Sequence, residues 1–150
     1  MSREYSRYVE RSYGGNIAPP GTSPEEWQPK KFYLKEKVKE MMRYALATLN
    51  SFPRRERTLA DEMRQTILTM FRLSIRLEKK YYKKTTLEDL DIELAVLKGL
   101  VEIASDKDYC GAKFAPPLSI KQREVWSRYN TEVGNLIGGY KKSIAEKEKK

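Results

Sequence analysis

Apolar residues recur at every third or fourth position in four separate stretches of this chain, and that period leaves few folds open. One face of an α-helix repeats about every 3.6 residues, whereas a half-buried strand alternates every second. Leu34, Val38, Met41, Ala45 and Leu49 predict a first helix over about residues 32 to 50. Pro53 ends it, since proline lacks a backbone donor and disfavours helix in the residue before it. A second stripe of Leu59, Met63, Ile67, Met70, Phe71 and Ile75 starts behind Thr58 and Asp61, and could reach Lys84. At about 1.5 Å per residue that helix would be roughly 40 Å long, natural for a bundle.

Thr85 and Glu88 have the spacing of a capping box, in which each side chain satisfies the other's backbone N–H. Behind them Leu90, Leu94, Leu97, Val101 and Ala104 predict a third helix to about Ser105. A second set on this helix, Ile92, Val96, Leu100 and Ile103, lies beside that stripe. Such width suggests burial against more than one neighbour, another subunit included. Gly111, Pro116 and Pro117 then read as a loop, Ser119 and Gln122 repeat the capping spacing, and a fourth helix runs to the mid-140s. Its core face is Trp126, Tyr129, Val133, Leu136 or Ile137, Tyr140 and Ile144. Four amphipathic helices on short connections pack by default as an antiparallel up-and-down bundle, so the expected fold class is all-α. The domain is expected over residues 31 to 145, followed by a charged tail over 146 to 150. Residues 1 to 30, rich in proline and glycine, are expected to form a disordered arm. Its Arg3, Tyr5, Arg7, Tyr8, Arg11 and Tyr13 could stack on single-stranded RNA, or the arm is a solvated tail.

Histidine is absent from the 150 residues. That removes the commonest general base, the commonest metal ligand and every nucleophile–histidine pair, so no enzyme is expected. Glu88, Asp89, Asp91, Glu93 and Glu102 on the third helix resemble a metal site only superficially, because bundle carboxylate sites add a Glu-x-x-His motif. Glu88 and Asp89 instead suit the positive end of the helix dipole. No metal and no cofactor are expected. The single Cys110 forms no internal disulfide, and no apolar run reaches the roughly 18 residues of a membrane span. A cytoplasmic location without membrane contact is the expectation.

The net charge of +9 is segregated. Residues 30 to 84 carry 16 basic and 6 acidic side chains, and residues 85 to 118 carry 3 and 7. The link after the first helix supplies Arg54, Arg55 and Arg57, and the second helix continues with Arg64, Arg72, Arg76, Lys79, Lys80, Lys83 and Lys84. From Arg72 to Lys84 the only acid is Glu78. A self-satisfied surface helix would place acids four residues from its bases, and this one does not. A solvated face is the plainer alternative, but a polyanion or an acidic protein surface suits the run better. Base-reading aromatics and amides are not concentrated with these cations, so contact with a phosphate backbone or folded RNA is expected. Lys98 stands alone on the acidic third helix, either snorkelling to solvent or touching a partner. Gly134 and Gly138, four apart in the fourth helix, would let another helix or subunit approach closely.

Three stretches carry a family resemblance: Phe52 to Arg64 (FPRRERTLADEMR), Asp91 to Lys98 (DIELAVLK), and Glu132 to Lys142 (EVGNLIGGYKK). Together they resemble the four-helix proteins that comprise Avd, the accessory variability determinant of diversity-generating retroelements, and the ribosomal intervening-sequence proteins. The resemblance spans about residues 32 to 143. It implies a bundle assembled as a homopentameric barrel, whose basic surface binds a reverse transcriptase and its template RNA, or DNA, and supports mutagenic complementary DNA synthesis without catalysing it. An intervening-sequence-type bundle with a structural or general nucleic-acid-binding role is the alternative. The resemblance marks Arg54, Arg55, Arg64, Lys98, Lys141 and Lys142 as binding residues. Family members often carry a base four places after the position of Lys98, where this chain has Glu102.

Overall fold

A computed structural model of the protein describes residues 32–79, 83–109 and 113–148. Four helices account for most of them: α1 (Tyr33–Leu49), α2 (Arg57–Lys79), α3 (Lys84–Ala104) and α4 (Ile120–Glu148). A single 3-10 turn, Arg54–Glu56, leads into α2. No strand occurs among the described residues. The expected arm lies outside them.

Each helix packs against its two neighbours in chain order and α4 closes back on α1, while the diagonal pairs do not meet. Cross-helix contacts set the directions. Lys35 at the start of α1 pairs with Glu78 at the end of α2 at 2.7 Å. Asp91 early in α3 holds Lys141 late in α4. Phe32, just before α1, meets Tyr140 edge to face at 5.3 Å, and Tyr44 meets Trp126 at 6.3 Å. All four neighbouring pairs are therefore antiparallel, and the bundle runs up, down, up, down.

The stripes on α1 and α3 are buried where the periodicity places them, from Leu34 to Leu49 and from Leu90 to Ala104. On α2, Leu59, Met63, Ile67 and Met70 are buried as expected, and the departure is confined to the later turns. Ile75 is 40% exposed and Phe71 only partly buried, whereas Leu73, Ser74 and Leu77 face the core. Apolar residues occupy both sides of this helix, Leu68 at 41% exposure among them, so hydrophobicity alone does not fix its phase. Thr66 and Ser74 tolerate burial because each hydroxyl donates to a carbonyl one turn back, at 2.8 Å and 2.6 Å.

Helix ends follow the expected chemistry at one place of three. Ser119 and Gln122 form the reciprocal box: the Gln122 N–H donates to Ser119 Oγ at 3.2 Å, and the Ser119 N–H to Gln122 Oε1 at 3.0 Å. Thr58 does not cap α2, because the 3-10 turn carries the chain into helix at Arg57. Thr85 does not cap α3 either. That helix begins at Lys84, with Lys83 at the capping position and no side chain capping the first turn. Within the described residues α2 runs to Lys79, and because Lys83 is not helical it does not reach Lys84. At the other end of the chain α4 continues to Glu148, past the expected mid-140s and into the expected tail.

Candidate nucleic-acid interface

The basic residues divide into those already neutralised within the chain and those left open. Arg64 is half-buried on α2, where its guanidinium donates to Asp61 at 2.9 Å and to Asn50 at 3.3 Å. Lys141 is held by Asp91. Lys37 bridges Glu40 and Glu132 at 3.1 Å and 3.0 Å. Burial works against its charge, but the hydrogen bonds and negative charge of the two glutamates outweigh that and raise its pKa. Lys79 is only loosely associated with Glu78, at 3.8 Å, since Lys35 takes that carboxylate more closely.

Arg54, Arg57, Arg72 and Arg76 are exposed and have no ion pair or hydrogen-bonded side-chain partner among the described residues. Arg72, Arg76 and Lys79 fall at i, i+4 and i+7, one face of α2. Arg57 lies at the head of the same helix, with Arg54 in the turn before it. Leu68 and Ile75 surface among these cations. The outer side of α2 is thus a guanidinium surface with an apolar component, able to take phosphate or carboxylate through forked donors.

Arg55 is different. Its guanidinium lies 4.1 Å from the centroid of the Phe114 ring, and that ring is 49% exposed. An aromatic therefore does join the junction cations, from a loop almost 60 positions away, and nothing in the local sequence signals it. Arg123, absent from the sequence-based candidates, likewise comes beside Lys98 along a groove between α3 and α4.

Lys83 and Lys84 sit where α3 begins. Burial, and then the charge of Lys147, lower the pKa of Lys83, with Glu78 opposing. Lys84 and Lys141 share a shallow groove with Leu87, Glu88 and Ile144. Lys142 is exposed on α4, and Lys80 lies outside the described residues. The candidate basic residues therefore form one surface on α2 and its junction, with further groups at Lys98 and around the start of α3 and the end of α4.

The two α4 glycines differ in surroundings. A Cβ on Gly134 would touch Leu94 Cδ2 at 3.5 Å and Lys98 Nζ at 3.9 Å, both on α3 of the same chain. A Cβ on Gly138 would meet nothing within 4 Å. Gly138 thus faces open space, as do Ile92, Val96 and Ile103 at 60%, 44% and 41% exposure. Of the second apolar set of α3, Leu100 packs partly against the core, and Ile92, Val96 and Ile103 are not covered by any of the described residues.

Among the described residues no three His, Cys, Asp or Glu side chains are placed to hold a metal ion. No described helix is long and apolar enough to cross a membrane. No curated protein and no solved structure matches the chain. One family profile does, that described as bAvd-like, over residues 32–144. That span begins with Phe32 at the head of α1 and takes in all but the last turn of α4. The chain, from its four-helix order to its arginine-rich junction, belongs to the bAvd-like family.

Proposed function

We propose that this chain is a non-catalytic accessory subunit of a diversity-generating retroelement, which binds the element's reverse transcriptase and template RNA and supports mutagenic complementary DNA synthesis. The observation that carries the reading is the match to the bAvd-like family over the whole bundle, together with the unpaired Arg54, Arg57, Arg72 and Arg76. A surface meant only for solvent gains from pairing its charges, as Lys37 and Lys141 do. Open guanidinium groups in a row instead suit a partner that supplies the anions.

The uncovered α3 stripe supports self-assembly, in line with the pentameric barrel that the family resemblance implies. Gly138 would then lie where a second subunit approaches, whereas Gly134 serves the packing of α4 on α3 of its own chain. In a ring of five, each weak phosphate contact repeats around the assembly, and avidity multiplies their effect. The subunit acts in the cytoplasm in this reading.

The experiment is a search of the neighbouring genes for a reverse transcriptase and its capture by the tagged full chain, with and without nuclease. Capture that survives nuclease supports a direct protein contact, and capture lost with nuclease an RNA bridge. A chain that binds nucleic acid but captures no reverse transcriptase in either condition would refute the retroelement role and leave the intervening-sequence type.

A further inference from the structure

Between α3 and α4 runs a groove of about 220 Å³, lined by Lys98, Glu102, Arg123, Ser127, Asn130 and Thr131. Neither cation forms an ion pair among the described residues, although Glu102 shares the lining. The hydroxyls of Ser127 and Thr131 have no partner among the described residues, whereas Thr48, Thr66, Ser74 and Ser105 all donate to carbonyls of their own helices. Asn130 is 3% exposed, and its Oδ1 is buried without a hydrogen bond. A buried acceptor left unmet is unfavourable, so an orphan beside open cations and free hydroxyls asks for a ligand.

The lining specifies that ligand's chemistry. Lys98 and Arg123 need anionic oxygen, while Asn130 Oδ1 and Glu102 need a hydroxyl that donates. A phosphodiester has no donor of its own, and a deoxyribose backbone adds none. Ribose adds the 2′-hydroxyl, which both donates and accepts and is the group by which proteins tell RNA from DNA. We propose that this groove binds a ribose–phosphate unit of RNA. Lys98 and Arg123 take the phosphate, and Asn130, helped by Ser127 and Thr131, takes the 2′-hydroxyl. With one net positive charge along its lining, the groove discriminates by hydrogen bonding more than by charge. This deepens the RNA-binding role proposed above and rests on it.

The test uses the full chain and two probes. In fluorescence anisotropy with single-stranded RNA and DNA of one sequence, the wild type prefers RNA by about threefold to tenfold, the worth of one such hydrogen bond. Asn130→Leu abolishes that preference while leaving DNA affinity in place. Lys98→Ala and Arg123→Ala each lower the salt slope by about 0.7 for both strands. Separately, ribose 5-phosphate shifts the Asn130 side-chain amide resonance at millimolar concentration and 2-deoxyribose 5-phosphate does so less. Equal affinity for RNA and DNA, or an amide resonance unmoved by either sugar, would overturn the proposal. A chain that binds neither strand but shows the sugar-phosphate shift would refute the RNA-binding role and keep the groove.

Discussion

Neutralising the open arginines should change how binding responds to salt far more than it changes the fold. Arg54, Arg57, Arg72 and Arg76 have no ion-pair partner among the described residues, so replacing each with glutamine removes no ion pair from the bundle. If each meets one phosphate of a single strand, the slope of log affinity against log salt falls by about 0.7 per site, or about 3 for the four. Between roughly 50 and 200 mM salt the wild type would then lose about fifty-fold to sixty-fold more affinity than the variant. The matched control replaces Lys37, Arg64 and Lys141, whose charges Glu40, Glu132, Asp61 and Asp91 already meet. Those substitutions should lower thermal stability modestly and leave the slope within about one unit, because phosphate must compete with carboxylates already in place. The assay is RNA anisotropy over a salt series, with circular dichroism confirming helicity. Equal slopes for the quadruple variant and the wild type would refute the division of the cations into open and neutralised sets. So would a larger slope change in the control.

Ser119→Ala breaks the reciprocal cap of α4 and should cost about 1 kcal/mol, read as a melting temperature lower by about 4 °C. Lys37 holds its proton more tightly in the fold than free lysine does. Its stabilisation is therefore complete below the ordinary value of 10.5 and is lost as pH rises through the higher folded value, so alkaline melting curves should steepen there and Lys37→Met should flatten them. Val96→Lys together with Ile103→Lys, on the uncovered side of α3, should give a smaller species by light scattering with unchanged helicity; an unchanged assembly would place the subunit contact elsewhere. Leu97→Ala, at a fully buried position, should cost about 2–5 kcal/mol in denaturant unfolding.

How much of this was legible depends on how far apart the cooperating residues lie. The third helix reads directly, because Leu90, Leu94, Leu97, Val101 and Ala104 keep one phase and one side. The second helix does not, because Leu68, Phe71 and Ile75 compete with Leu73 and Leu77 for the core, and only packing against both neighbours decides. Ser119 and Gln122 cap because the loop before them leaves the serine free, while a 3-10 turn and Lys83 displace Thr58 and Thr85. Of the interface, the arginine run was visible as a run. Which arginines stay open was not, since that turns on carboxylates of other helices or one turn away. The pairing of Lys98 with Arg123 and Asn130 had no local signal at all, because it is made by the crossing of α3 and α4.

The contact of Phe32 with Tyr140 has a topological meaning beyond its packing. Because α4 lies against α1 as α1 lies against α2, the four helices form a closed cycle in which no helix is first. The head of α1 sits two turns short of the end of α4, about 12 Å along the axis, within reach of a short link. A circular permutant that joins 148 to 32 and opens the chain between Asp108 and Pro116 would keep every interhelical face. Its ends would emerge beside Arg55 and Phe114, and the new link would join residues 32 and 148.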